Sequence, residues 1–480
     1  LRRDSNNTDP ATRIRLNRNY FGEYNQVIVR MMAYFGEAAI NYKNMVFLNY
    51  THRFEAASTL PKESRYYNYP GGGVSLIMSD ILPFIKKKDI ISYWKLRSSL
   101  ALTARLNGAY SNQSVFQNVR NSGNGFAYGF SNLNPFLVPE KQKTYEIGTE
   151  FRLFKSKLSL DITYYNTLNE DQIVENFRSS YGSGFVLNTL NVGSTRNTGV
   201  EIAANITPIQ NKNFRWNLGL NFNRMRNEVL SLPANVPEFY ISDTWLYGNA
   251  RGGLVKGGPT TSITAYGYQR NNAGQIIINS TTGLPVTESL FKVRGDRNPD
   301  FSLGINNSLR YKNFSLTMLW DLRKGGDIFN GTNMYLTLQG RSLKTADRFT
   351  PRIIEGVLND GLQNTANPTK NTIAVTPFYS QSYFTAMPEE EFIEKNINWL
   401  RLRDITLSYN FSKMISKQKF IKTLSAFVTG NDLILITNYS GADPAVNGNT
   451  AGTRGVGASG FDYGNIAVPV SVNIGIRTSF

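Results

Sequence analysis

Apolar and polar residues alternate along this chain with a period of two, the pattern of β-strands that bury one face. The last segment is the clearest. Val468, Val470, Val472, Ile474, Ile476 and Phe480 fall on one face, with Ser471, Asn473, Gly475 and Arg477 on the other. Phe214, Trp216, Leu218, Leu220 and Phe222 alternate with Arg215, Asn217, Gly219, Asn221 and Asn223, and similar runs cover Leu158 to Tyr165 and Phe301 to Tyr311. Each run holds for about ten residues. Soluble strands run about 5–6, whereas strands that cross a bilayer need about 9–11. The second face carries Gly, Asn, Ser, Arg and Asp, as a wetted lumen would. About 13 strands are predicted: 27–41, 45–54, 70–79, 91–106, 143–153, 158–168, 196–208, 214–228, 301–311, 314–323, 398–411, 423–436 and 467–479.

The connections alternate in length. Tyr42-Lys43-Asn44, Phe154 to Lys157, Gln210 to Asn213 and Lys312-Asn313 are tight, while Asn107 to Glu140, Leu168 to Ser194, Leu230 to Asn298 and Gly325 to Asn396 are long and rich in Gly, Asn, Ser and Thr. Short periplasmic turns and long extracellular loops are the habit of outer-membrane barrels. The expected fold is therefore all-β, a transmembrane antiparallel up-and-down barrel. With tight turns in the periplasm, the thirteenth strand leaves Phe480 there. An odd count cannot close such a barrel alone, so part of the wall is expected elsewhere. Two stretches depart from the pattern. The alternation slips phase between Leu402 and Ile405, which a β-bulge near Arg403 would explain, and Thr261 to Tyr268 alternates weakly and is assigned to a long loop.

Composition sharpens the choice. The chain has 480 residues, 41% hydrophobic and 18% charged, with no Cys, and its mean hydropathy of -0.32 suits either a soluble protein or a membrane barrel. No apolar run approaches the roughly 18–20 residues of a spanning helix. Absence of Cys excludes thiolate metal sites and cysteine catalysis. Leu1-Arg2-Arg3-Asp4-Ser5-Asn6-Asn7 has no apolar signal-peptide core and reads as a mature or truncated start. The net charge of +17 is not a nucleic-acid footprint, because the cations form no helical stripe. Many sit in expected turns, at Lys86-Lys87-Lys88, Lys155, Lys157, Lys212, Lys413, Lys417, Lys419 and Lys422, where they would meet solvent or lipid head groups.

Several segments resemble the SusC/RagA group of TonB-dependent outer-membrane receptors of Bacteroidetes. They include Asn191-Val192-Gly193 with Asn197-Thr198-Gly199-Val200-Glu201, Trp399-Leu400-Arg401-Leu402-Arg403-Asp404-Ile405-Thr406-Leu407-Ser408-Tyr409, and Thr429-Gly430-Asn431-Asp432-Leu433 with Tyr439-Ser440-Gly441-Ala442-Asp443-Pro444. Ile91 to Arg97, Asn298-Pro299-Asp300-Phe301 and Gly326 to Asn330 agree in order. The stretches Glu55 to Thr59 and Ala104 to Gly108 depart from the family pattern, at loop margins. The resemblance implies that residues 1–480 are the C-terminal part of a 22-stranded barrel, with plug domain, TonB box and signal peptide outside the sequence. It implies import of an oligosaccharide or peptide across the outer membrane. The implied partners are a SusD-like surface lipoprotein, the TonB complex acting through N-terminal parts, outer-membrane lipid and lipopolysaccharide, and the barrel-assembly machinery. Alternatives are a receptor for iron chelates or cobalamin, and a barrel serving as a scaffold or adhesin.

Catalytic, cofactor and metal sites are not expected. His52 has no second ligand at useful spacing and reads as a lumen or interface residue, Glu389-Glu390-Glu391 as a solvated acidic turn, and Gly71-Gly72-Gly73 as room for strand curvature or close approach. Aromatics at strand ends would form interfacial girdles. In the long loops Tyr379, Tyr383 and Phe384 are candidates to stack on sugar faces or contact a peptide, and Ile474, Ile476 and Phe480 resemble the C-terminal signal read by barrel-assembly machinery.

Overall fold

The computed structural model describes residues 29–480 except 89, 110–115, 120–124, 129–130, 179–186, 234–235, 244–249, 381, 416–419 and 447–458. Leu1 to Asn7, Lys417 and Lys419 lie outside the described residues. One antiparallel sheet of 13 strands dominates, and its spatial order follows the chain. In order the strands are β1 (Met31–Tyr42), β2 (Val46–Ala57), β3 (Tyr66–Ile77), β4 (Ile91–Arg105), β5 (Glu140–Leu153), β6 (Leu158–Glu170) and β7 (Ser194–Gln210). They continue as β8 (Phe214–Ser231), β9 (Phe301–Tyr311), β10 (Phe314–Lys324), β11 (Trp399–Asn410), β12 (Thr423–Thr437) and β13 (Ser471–Ser479). The expected strand set is the observed one, with shifted ends. β3 starts earlier, at Tyr66, and β13 starts later, because β12 offers its last partner at Asn431 opposite Ser471.

Register aligns the apolar rows across the whole sheet. Leu220 lies opposite Ala204 and Ile305, Ile162 opposite Ile202, and Val428 opposite Leu407 and Ile474. This row faces outward, so Ile474 and Ile476 remain 80% and 72% exposed to the medium that lipid would fill. Its ends carry ring clusters. Phe314 and Tyr409 sit 4.6 Å apart at the tight-turn end, and Phe222 and Phe301 sit 5.4 Å apart at the other. From Phe301 to Tyr311 the strand runs about 34 Å at ~3.4 Å per residue. Tilted by about 40°, it gains about 26 Å of height, close to the ~25 Å apolar band of outer-membrane barrels.

The other row faces the concave side and is polar. Arg97 on β4 reaches across β5 to Asp161 on β6 in a two-pronged pair of 2.9 and 2.6 Å, with Thr163 as a third partner. Gly148 makes the crossing possible, since a Cβ there would stand 2.8 Å from Arg97 Nε. Gly71 and Gly73 do the same for Thr51 and Asn49, 2.9 and 2.7 Å from the missing Cβ positions. Close approach, one of the two roles expected for this Gly run, is what the geometry shows.

The slip near Arg403 is a bulge. Leu319 pairs with Asp404 while Trp320 pairs with Leu402, which leaves Arg403 as the extra residue. Below it Ile405, Leu407 and Tyr409 lie on the outer row, and unbroken alternation would put Arg401 there too. The extra residue turns Arg401 inward, opposite Asp321.

Replacing Gly148 with Val should displace the Arg97 guanidinium and lose its charge-assisted bonds, at a cost of about 1–3 kcal/mol. The heat-modifiability midpoint of the full-length protein should fall similarly in Gly148→Val and Arg97→Ala, and the double variant should add little to either. Additive losses would separate the glycine from the ion pair.

Candidate functional site

The larger cluster of buried apolar residues lies in the long-loop connections. Ala250, Ile263 and Ala265 from 232–300, Phe329, Met334, Phe392 and Ile393 from 325–398, and Phe461 from 438–470 pack as one cluster. Ile328–Asn330 pairs with Ile393–Glu394 on one side and Phe461–Asp462 on the other, so two connections share a sheet. Ser262–Ala265, expected in a loop, is a wholly buried strand of a second small sheet beside Lys292–Asp296. Asn330 caps the helix Gly331–Leu338 by accepting from Asn333 N at 2.8 Å.

Charged groups tie this cap to the wall. Arg401, 2% exposed, donates to Asp443 in the 438–470 connection and to Asp432 at 3.4 Å. Arg403 bridges Asp432 at 3.4 Å and Asp321 at 2.8 Å. Burial pushes the Asp443 carboxyl up, but the Arg401 hydrogen bond and the Ala445 and Val468 N–H groups outweigh it and hold the group below the usual aspartate range. Arg297 donates to Thr261 O at 3.0 Å and Ser459 O at 2.8 Å and lies over the Phe461 ring, joining two connections. Burial pushes its guanidinium down to about 10, so it stays charged at neutral pH. Burial, reinforced by the bond to Asp462 at 2.6 Å, holds the Tyr439 phenol well above the ordinary range. Asn298 donates to Met225 O at 2.7 Å and Asp300 accepts from Arg226 at 2.9 Å, so the Asn298-Pro299-Asp300-Phe301 segment pins the entry to β9.

A cavity of about 520 Å³ opens where the cap meets the concave wall, lined by Asn169, Gln172, Thr195, Asn197, Thr261 and Arg323 among others. Amides, hydroxyls and a guanidinium offer donors and acceptors to a polar, hydroxyl- or amide-bearing ligand. Tyr379, Tyr383 and Phe384 do not line it. Tyr379 is 82% exposed and stands edge-on to Phe378, which packs at 4.4 Å on Phe349. Tyr383 and Phe384 form a T-shaped pair at 4.9 Å, with Arg352 over Tyr383. Ile474 and Ile476 lie on the outer row of β13, and Phe480 follows it with its ring 5.1 Å from Phe420.

His52 lies on the outer row, opposite Pro70, with Nδ1 2.9 Å from Tyr50 Oη. That places it on the outward face and not in the lumen. The acidic turn needs correction. Glu389 is 5% exposed, and Glu390 accepts from Arg270 at 3.3 Å and Tyr268 N at 3.1 Å and pairs with Arg294. Only Glu391 of the three is exposed. The basic partners of Glu390 lie about 100 residues upstream, beyond the reach of local pattern.

A family model described as TonB dependent receptor-like, beta-barrel, matches residues 2–428. This chain belongs to that TonB-dependent receptor barrel family. The chain is 26% identical to "TonB-dependent receptor P3" of Formosa agariphila, over 94% of its own length and 45% of the relative's. It is 23% identical to "TonB-dependent receptor SusC" of Bacteroides thetaiotaomicron, over 87% of itself and 41% of the relative. Among solved structures, that of the RagAB peptide transporter superposes with a TM-score of 0.70 at 20% identity, over 94% of this chain and 48% of that one. The chain thus spans less than half the length of these relatives. The family is one of outer-membrane transporters and receptors, and the SusC/RagA resemblance read from the motifs is shared by these relatives.

In this receptor barrel the SusC-like segments hold the Arg401–Asp443 clamp. Replacing Asp443 with Asn should leave the buried Arg401 guanidinium with only its longer pairing to Asp432, at a cost of up to about 3 kcal/mol. The loss should appear as faster hydrogen exchange in 438–446 with the wall unchanged. Because the folded carboxyl is held down, wild-type protection in that stretch should be full above the ordinary aspartate range and fall as pH drops below about 4.

Proposed function

We propose that this barrel forms the greater part of the wall, and about half the mouth, of an outer-membrane receptor that actively imports an oligosaccharide or peptide. The observation that carries the reading is the alignment of nearly the whole chain with SusC, together with likeness of fold to the RagAB peptide transporter. The long-loop end faces outward and the tight turns face the periplasm, where Phe480 also ends. A SusD-like surface lipoprotein lids the mouth. Substrate enters between lid and loops, Tyr379, Tyr383 and Phe384 supplying contact surface. The upstream strands complete the wall and enclose a plug, and a TonB pull on the N-terminal region displaces it. Ile474, Ile476 and Phe480 serve as the assembly signal. The polar cavity suits either substrate class, since sugars and peptides both present hydroxyl or amide groups.

The test is uptake in the native bacterium with the full-length gene deleted or restored. Growth on a defined oligosaccharide or peptide mixture should require the receptor, its lipoprotein and TonB, and a protonophore should abolish uptake. Tyr379→Ala with Tyr383→Ala should weaken substrate binding by about thirtyfold at unchanged barrel stability, at ~1 kcal/mol per lost ring contact. Uptake restricted to iron chelates or cobalamin would overturn the reading.

A further inference from the structure

The tight-turn end of the wall carries most of the chain's excess positive charge. Five of the six connections at this end, 43–45, 154–157, 211–213, 312–313 and 411–422, contain lysines and no Asp or Glu, and the sixth, 78–90, sets Lys86, Lys87 and Lys88 against Asp80 and Asp89. The long connections 232–300 and 325–398 together hold at least as many acidic residues as basic ones. Lys43, Lys155, Lys157, Lys212, Lys312 and Lys422 are all exposed. Charge is therefore sorted by height along the barrel.

Backbone geometry shows that three of these lysines are not placed for the turn's convenience. Lys43, Lys155 and Lys312 adopt φ of 53°, 57° and 51°. A residue with a Cβ is destabilised in that left-handed region, and Gly or Asn fits it better. Tight hairpins of this kind favour Asn-Gly, yet three separate turns place a lysine there. Two share a further arrangement. Lys43 Nζ lies 5.3 Å from the Tyr42 ring centroid and Lys312 Nζ lies 5.4 Å from that of Tyr311. Both tyrosines stand at the tight-turn end of the outer row, opposite Val46 and Phe314. The ammonium groups thus ride at the level of the aromatic girdle, where lipid phosphates lie.

We infer that the tight-turn rim is a binding surface for the phosphates of anionic phospholipids in the inner leaflet. The lysine ammonium groups contact the phosphates, and the girdle tyrosines hold them at that depth. Backbone stability in the turns is given up for charge. Occupancy is set by electrostatics at the rim and does not depend on what the receptor imports.

The test uses the full-length receptor in detergent, titrated with phosphatidylglycerol, phosphatidylcholine or lipid A, with bound lipids counted by native mass spectrometry. Wild type should retain phosphatidylglycerol over phosphatidylcholine. Lys43→Asn, Lys155→Asn and Lys312→Asn should each weaken retention about fivefold, while Lys256→Asn in a long loop should leave it unchanged. Because Asn suits the left-handed conformation, the triple variant should keep its heat-modifiable fold with an equal or higher midpoint. Unchanged phosphatidylglycerol retention in the triple variant, or equal retention of phosphatidylcholine by wild type, would sink the proposal. Selective loss of lipid A alone would place the rim at the outer surface and overturn it as well.

Discussion

Hydrocarbon offers no hydrogen-bond partner to a peptide group, so every N–H and C=O of a membrane wall has to be met by the neighbouring strand. That requirement explains the long ladders. β12 and β13 stay in register from Thr423 opposite Ser479 to Asn431 opposite Ser471, and β8 and β9 from Phe214 opposite Tyr311 to Asn223 opposite Ser302. Once the backbone is satisfied sideways, side chains are sorted by a strict alternation of lipid and lumen, and a shift of one residue inverts every assignment on a strand. The bulge at Arg403 acts within that constraint. One extra residue reverses the faces of β11 above it, so that Arg401 meets Asp432 and Arg403 bridges Asp321 and Asp432. A charged residue on the outer row costs about 2–4 kcal/mol at mid-depth and less toward the loop end, where Arg401 lies. The bulge removes that cost and creates a clamp for the loops.

The same alternation explains why the wall lacks a conventional core. Its outer row awaits lipid, and its inner row is wet. Tight packing is concentrated in the cap, where three connections bury Phe329, Phe392 and Phe461 together. A mouth built of independent loops would be mobile. Here the loops share a sheet and a core, Arg401 and Asn298 bolt them to the wall and Arg297 ties two of them together, so cavity-lining groups such as Thr261 are held by Arg297 on one side and Asn227 on the other. Rigid placement of this kind lowers the ordering cost of binding.

Wall strands were legible because alternation sustained over ten residues fits a bilayer-spanning strand and little else, and the bulge was legible as a change of parity. Strand ends were less so. Tyr66, Tyr67 and Tyr69 put aromatics on both faces and hide the start of β3, while Val468 continues the apolar rhythm of β13 but its N–H bonds Asp443 instead of β12. The cap was opaque for a different reason. Ser262–Ala265 is buried on both faces, so its alternation vanishes, and Glu390 finds Arg270 and Arg294 only through the tertiary fold. The motif residues that suggested the family told of kinship before they told of role. Asp443 and Asn298 turn out to anchor loops, a function no local pattern announces.

Topology also constrains what completes the wall. Thirteen antiparallel strands in sequential order leave β1 and β13 running in the same direction, each with one edge unpaired among the described residues. Pairing them directly would give a parallel seam, and an up-and-down antiparallel barrel admits none. An even total requires an odd number of further strands between those edges. The nine that separate 13 from the family's implied 22 meet that parity. The edges themselves are suited to being covered. Ile40 on β1 and Val472 on β13 are each 62% exposed on the outer row, and their bare backbone groups would be as costly in lipid as any in the sheet. The apolar rows and the open ladders therefore demand the same thing, a contiguous wall on both sides of this sheet.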